Sequence, residues 1–246
     1  MDTSVIEIEN LSKSFGDNHV LRNFSMRVSE GENLVILGKS GSGKSVLIKC
    51  IISLITPDEG IIKIFGDDVT DFESDALDSL RARIGFLFQS NALYDSMTVR
   101  ENLEFPLRRH WSKEQREKGA ELAVLEVLED VGLAHTINMM PAELSGGMRK
   151  RIALARTLIL RPQIILYDEP TTGLDPVTGR EISHLILQVQ KKYNATAIII
   201  SHDMNCISIT SNSVIMLIDG KRYAQDTYAN LKHYNDPKIH EFFSAT

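Results

Sequence analysis

The sequence predicts an α/β fold with a mostly parallel sheet, an antiparallel β part near the N-terminus and an inserted α-helical subdomain. Three observations predict it. Short apolar runs such as Leu34-Val35-Ile36-Leu37 and Ile198-Ile199-Ile200 read as strands buried on both faces. Beyond residue 162 such strands alternate with a helical pattern, which implies parallel pairing through right-handed crossovers. Between about residues 90 and 161 the periodicity is helical throughout. A chain of 246 residues suits one large domain carrying such an insertion. The expected division is a core of 1–88 and 162–228, a helical subdomain of 89–161 and a tail of 229–246.

The elements follow in chain order. The opening MDTSVIEIEN lacks a basic and apolar leader and is not read as a secretory signal. Ile6 and Ile8 alternate with Glu7 and Glu9, and Phe24, Met26 and Val28 alternate with polar residues, so two half-buried strands are expected. Glu30-Gly31 turns the chain into the strand Leu34–Leu37, and VLIKCIISLI, after a glycine-rich turn, reads as a helix. IIKIFG (61–66) and IGFLF (84–88) are strand-like. Thr98-x-x-Glu101 and Ser112-x-x-Gln115 are capping-box starts. The second opens a helix with Ala120, Val124, Val127, Leu128 and Val131 on one face. A third helix follows Ser145, with Met148, Ile152, Ala155 and Ile159 on one side, and Arg161-Pro162 closes the segment. QIILYD (163–168), TAIIIS (196–201) and VIMLID, ending at Asp219, read as strands, with a helix between Thr178 and Tyr193. Asp219-Gly220 signals a hairpin.

Composition narrows the function. The net charge of −6 argues against nucleic acid as a partner. Cys50 and Cys206 sit in apolar surroundings and read as inert buried thiols. The longest apolar stretch, Val46 to Ile55, contains Lys49 and is too short to span a bilayer. A soluble, cytoplasmic chain is expected, with any membrane-spanning part supplied by another chain.

The chemistry is concentrated in GKSGSGKS, from Gly38 to Ser45, which fits the phosphate-binding P-loop G-x-x-x-x-G-K-[ST]. Strand, glycine-rich turn and helix is the setting of a P-loop NTPase (RecA-like) core. Gly38, Gly41 and Gly43 let the backbone curl its N–H groups toward phosphate oxygens, and the helix N-terminus adds partial positive charge. Lys44 is expected to reach the β- and γ-phosphates, and the Ser45 hydroxyl to bind Mg²⁺. Asp168 and Glu169 end an apolar strand; Asp168 suits a metal-holding group and Glu169 a general base or water-positioner. Read alone, the pair is equally an acidic turn. His202 follows the strand IIIS, where it either contacts the γ-phosphate or serves the fold. Ser145, Gly146 and Gly147 open a helix with bare N–H groups, so they form a second anion site or an ordinary capped helix.

In this order and spacing, GKSGSGKS, LSGGM (144–148), LYDEP (166–170) and the histidine after IIIS resemble an ATP-binding cassette (ABC) ATPase, from Ile6 to about Asp226. The resemblance implies that Phe15 stacks on adenine and that Gln89 links the Mg²⁺ and water site to the helical subdomain. It also implies that Gly173-Leu174-Asp175 crosses to a partner subunit. ATP would lie in a head-to-tail dimer. One chain would supply Phe15, Gly38, Lys39, Ser40, Gly41, Ser42, Gly43, Lys44, Ser45 and Val46, and the other Ser145, Gly146, Gly147 and Asp175. Lys44, Gln89, Glu169 and His202 would be catalytic, and Ser45, Gln89 and Asp168 would hold the metal.

Met148 stands where glutamine is commonest. Together with QSNALYDSMTVRENLEFPLR from Gln89 and YDEPTTGLDP, it resembles the ATPases of Mce/Mla-type lipid transporters, with Asn91 replacing a frequent glycine. That group implies a multi-spanning permease, an Mce-domain lipid-binding partner and a place on the cytoplasmic face of the inner membrane. The segment from Gln89 to Arg109 mixes apolar and basic residues and is expected to receive a permease helix, with about half its apolar side chains turned inward instead. The KIHEFF stretch after Asp236-Pro237 either docks on a partner ATPase or covers the sheet edge.

Overall fold

The computed structural model describes residues 4–244. The first three residues of the N-terminal stretch and the last two of the tail lie outside the described residues.

Two sheets build the core. The first is antiparallel: β1 (Ser4–Phe15) pairs with β2 (Asn18–Ser29) and β4 (Glu59–Ile64), and β4 with the short β5 (Asp67–Asp68). The second runs in the order β10-β9-β3-β8-β7-β6, comprising β3 (Asn33–Leu37), β6 (Ile84–Leu87), β7 (Ile164–Asp168), β8 (Thr196–Ile200), β9 (Ser213–Ile218) and β10 (Lys221–Asp226). Its β9, β3, β8, β7 and β6 are parallel, and β10 is an antiparallel edge. The β9–β10 hairpin turns through Asp219 (φ 52) and Gly220 (φ 75), the two positive φ values of a type I′ turn.

The parallel strands are apolar on both sides because both sides are covered. Leu34, Ile36, Ile164, Leu166, Ile198 and Ile200 point toward the antiparallel sheet and α1 (Lys44–Ile51). Val35, Leu37, Ile165, Tyr167, Ala197 and Ile199 point the other way, into a core shared with α5 (Gly146–Leu158), α6 (Pro176–Tyr193) and α7 (Met204–Thr210). This second core continues into α3 (Val99–His110) and α4 (Lys113–Asp130), so the helical segment and the sheet share one apolar interior. Both capping boxes are present at Thr98 and Ser112.

Three features depart from the sequence reading. The helix after the phosphate loop ends at Ile51, because Ser53 adopts a left-handed φ of 54° and breaks the ladder. A short α2 (Ser74–Ala82) separates IIKIFG from IGFLF, which join different sheets. Helix α5 is buried on more than one side, through Lys150, Ile152, Ala153, Leu154, Ala155 and Leu158, because it lies between the sheet and the other helices. The tail forms α8 (Tyr228–Leu231) and α9 (Pro237–Ser244), and α9 packs on its own chain.

Candidate nucleotide site

The phosphate loop is fixed by what its glycines exclude. A Cβ on Gly38 would lie 2.6 Å from the Leu217 carbonyl oxygen of β9 and 2.5 Å from the Ser42 hydroxyl. Gly43 caps α1 at φ +103°, and a Cβ there would meet the Val20 carbonyl oxygen at 2.8 Å. The loop is thus pressed against β9 on one side and β2 on the other. Lys44 is 7% exposed and folds back over the loop, its Nζ donating to the carbonyls of Gly38 (2.6 Å) and Lys39 (3.0 Å). Burial lowers the Lys44 pKa, and the charges of Glu169 and Asp168 oppose that shift.

β7 brings the carboxylates to the same sheet edge. The Ser45 hydroxyl donates to Asp168 Oδ1 at 3.4 Å. Burial first, and the Glu169 charge next, raise the Asp168 pKa, against the Ser45 hydrogen bond and the nearby Lys49 and Lys44. Glu169 sits at a left-handed φ of 50°, with its N–H donating to the Ile200 carbonyl at 2.9 Å. Non-glycine residues held there store strain, and they cluster at functional sites. The Glu169 carboxylate, 11% exposed, meets His202 Nδ1 at 2.9 Å and accepts from the Thr172 hydroxyl at 3.4 Å. The next residue after His202, Asp203, caps α7 through the Asn205 N–H and accepts from Thr171 at 2.9 Å, so the loop bearing His202 is anchored.

A cleft of about 700 Å³ gathers Phe15, Gly38, Lys39, Ser40, Gly41, Gly43, Lys44, Ser45, Val46, Gln89, Glu169 and His202. Phe15 is half exposed and open to stacking. Ser42 faces a neighbouring cavity instead, and Asp168 reaches the cleft through Ser45. Ser145, Gly146, Gly147 and Asp175 are not brought to this cleft; they line a separate cavity. There Ser145 caps α5 by accepting from the Met148 N–H, and Asp175 caps α6 by accepting from Val177 and Thr178.

Other contributors carried no sequence motif. Val20, Met204, Glu241 and Phe242 complete the cleft, and only the amphipathic KIHEFF pattern hinted at the last two. Lys150, 2% exposed, donates to the Gln89 carbonyl at 3.1 Å. Arg156 donates to the carbonyls of Asn91 (3.1 Å) and Ala92 (2.7 Å), so α5 pins the loop after β6. The available signal is the basic run Arg149-Lys150-Arg151, followed by Arg156, in a helix whose remaining residues are mostly apolar.

Among the described residues, no group of three or more His, Cys, Asp or Glu forms a metal site. The Ser45 hydroxyl, Asp168 carboxylate and Gln89 amide offer hard oxygens at one cleft. Such a partial set suits Mg²⁺, which keeps waters and takes substrate phosphate oxygens for the rest.

The profile of the ABC transporter family matches residues 21–172. The chain is 42% identical over 212 residues to the "probable ribonucleotide transport ATP-binding protein mkl" of Mycobacterium leprae, covering 86% of this chain and 60% of that protein. It is 38% identical to the methionine import ATP-binding protein MetN of Clostridium tetani, covering 89% and 67%. It is 36% identical to the intermembrane phospholipid transport system ATP-binding protein MlaF of Haemophilus influenzae, covering 100% and 92%. In structure it is similar to the ATP-binding cassette MJ0796, solved as a dimer in a post-hydrolysis state bound to ADP and Pi, with a TM-score of 0.79 and 34% identity over 90% of this chain and 98% of that one. With its cassette fold and with these matches spanning most of its length, the chain belongs to the ABC transporter ATP-binding family.

Proposed function

We propose that the chain hydrolyses ATP to power phospholipid transport between bacterial envelope membranes, as a peripheral subunit on the cytoplasmic face of the inner membrane. One observation carries the hydrolytic part: Lys44, Ser45, Glu169 and His202 share one cleft at the carboxyl edge of the parallel sheet, with Asp168 against Ser45. The likeness to MlaF over the whole chain supports the lipid cargo. No helix of the described residues is long and apolar enough to cross a membrane. The proposed permease is a separate chain.

In the proposed mechanism Phe15 stacks on the adenine, and the loop N–H groups and Lys44 bind the phosphates. Lys44 exchanges its bonds to the Gly38 and Lys39 carbonyls for phosphate oxygens. Ser45, Asp168 and Gln89 would hold Mg²⁺, which neutralises phosphate charge when bound. Glu169 accepts the proton of the attacking water or orients it, and His202 holds the Glu169 carboxylate at 2.9 Å. Ser145, Gly146, Gly147 and Asp175 lie in a different cavity, so in this reading they serve the nucleotide of a second copy in a head-to-tail homodimer.

The permease would dock on the segment from Gln89 to Arg109. Its Leu93 packs inward, whereas Tyr94 and Phe105 remain exposed and stacked at 4.8 Å. On the same helix as Phe105, Arg100 and Arg108 each lie near Glu104. An Mce-domain lipid-binding protein and the permease would complete the assembly, with no role for nucleic acid.

The likeness to MetN supports a second reading, the ATPase of a small-solute importer. Mild-detergent purification of the tagged chain from native membranes, with mass spectrometry of proteins and lipids, separates the two. A permease recovered with an Mce-domain protein and phospholipid is the expected result. A permease recovered with a solute-binding protein would overturn the lipid reading.

A further inference from the structure

Helix α9 is anchored at one end and rests on the phosphate loop at the other. Asp236 caps it by accepting from the N–H groups of Lys238 and Ile239, and its second oxygen accepts from the Tyr223 hydroxyl at 2.7 Å. Ile239 is 2% exposed, and one turn on Phe243 packs against Tyr228 at 5.6 Å. The stripe Lys238, Glu241 and Phe242, at i, i+3 and i+4, meets the loop and the β9–β10 turn. Lys238 pairs with Asp219 at 3.8 Å. Glu241 pairs with Lys39 at 2.6 Å, and the Phe242 ring centre lies 5.9 Å from the same ammonium. Lys39 is the second residue of GKSGSGKS, and Glu241 and Phe242 line the cleft that holds Lys44 and Ser45.

We propose that Glu241 competes with nucleotide phosphate for Lys39, so that docking of the C-terminal helix sets nucleotide affinity. The proposal rests on the nucleotide-binding reading of the cleft. A carboxylate at the mouth of a phosphate site acts in two ways. It neutralises a loop cation, and it repels the polyanion directly. Lys39 and Glu241 are each 62% exposed, so their pair is screened and can be exchanged. Lys44, buried beneath the loop, has no such competing carboxylate in hydrogen-bond contact among the described residues; its partners are the backbone carbonyls of Gly38 and Lys39. A nucleoside triphosphate carries more charge than one carboxylate and takes Lys39 when bound. Glu241 is then released, and α9 keeps its hold on the β9–β10 hairpin through Lys238–Asp219 and Tyr223–Asp236. Glu241 is thus a positioning residue for Lys39, acting from 202 residues away in sequence.

The test is a double-mutant cycle on the full chain, read by titration with a fluorescent ATP analogue and Mg²⁺ at low salt. Glu241→Gln is expected to tighten binding about 1.5- to 5-fold, the range of an exposed ion pair. In a Lys39→Met background the same substitution is expected to tighten binding clearly less, because only direct repulsion of the phosphates remains to be relieved. Hydrogen exchange across 237–244 is expected to speed up when nucleotide is added to the parent chain. Unchanged or weaker binding by Glu241→Gln would overturn the proposal. So would equal tightening in both backgrounds, which would mean a general field effect without exchange at Lys39. A parent chain that binds no nucleotide would overturn the reading of the cleft itself. Both side chains are solvent-exposed, so the variants keep the fold.

Discussion

Replacing Glu169 by glutamine probes the chemistry with little change of shape. The amide keeps the volume of the carboxylate and an oxygen facing His202 and Thr172, but it cannot take a proton. A positioned general base contributes about 10²–10⁴ in rate, or ~2.7–5.4 kcal/mol of barrier. Glu169 is 11% exposed and held from two sides, so bulk water does not readily replace it, and the loss is expected in the upper half of that range. The substitution also acts on Asp168. Burial and the Glu169 charge hold the Asp168 pKa above its ordinary value, and removing the second cause lowers it. An acid whose folded pKa is raised supports the fold below its unfolded pKa and loses that support as pH rises through the folded one. Glu169→Gln narrows this gap. The variant is therefore expected to be at least as stable as the parent at neutral pH, and to keep binding nucleotide with Mg²⁺ to lower pH. Phosphate release and nucleotide affinity are measured together. The expected result is a rate reduced by about 10³-fold or more with affinity within about threefold. Turnover close to that of the parent would refute the assigned role. Parallel loss of affinity and rate would recast Glu169 as a binding residue.

Lys44→Ala removes a buried cation, and charge-assisted hydrogen bonds contribute ~1.5–3 kcal/mol each, so nucleotide affinity should fall roughly ten- to hundredfold; a fluorescent-nucleotide titration showing an unchanged constant would contradict this. Gly43→Ala forces a side chain into φ +103° and against the Val20 carbonyl, at a cost of ~1–3 kcal/mol. A urea unfolding midpoint equal to the parent's would contradict the strain. Arg100→Glu breaks partly exposed ion pairs with Glu104 and Glu121, so stability changes by less than ~1 kcal/mol. If this segment receives the permease, stimulation of the ATPase by the permease in reconstituted vesicles falls while the basal rate holds. Unchanged stimulation would remove Arg100 from the docking surface.

What the sequence revealed was local, and what it hid was distant. The capping boxes at Thr98 and Ser112 were legible because both partners lie three residues apart. Parallel strands were legible because burial on both faces leaves no polar alternation in Val35-Ile36-Leu37 or Ile198-Ile199-Ile200. IIKIFG and IGFLF look alike, yet the first pairs antiparallel with β1 and the second parallel with β7. That choice is made by the connections on either side and not by the runs themselves. The early end of α1 was hidden because VLIKCIISLI stays apolar past Ser53, where only backbone geometry breaks it. Within the cleft, phosphate-loop residues announce themselves by spacing. Lys150 does not, because its partner, the Gln89 carbonyl, lies 61 residues away and belongs to the backbone.

That hidden contact explains how distant parts of the helical segment are held to the cleft. Ser145, at the start of α5, caps the helix beside the cavity that it shares with Asp175. Five residues on, Lys150 holds the Gln89 carbonyl, and further along Arg156 holds the carbonyls of Asn91 and Ala92 with its guanidinium 5.8 Å from the Tyr94 ring. The fully buried Asn102 side chain bonds the backbones of Tyr94, Met97 and Thr98, so the exposed Tyr94 belongs to a braced loop. One helix therefore joins the serine–glycine cap, the Gln89 loop and the exposed aromatic pair. A buried lysine is costly to leave without its acceptor, since an unpaired buried charge is penalised far more than a neutral group. If a permease helix loads Tyr94 and Phe105, the displacement is expected to reach Gln89 and Ser145 through α5 for as long as Lys150 and Arg156 keep their carbonyl partners.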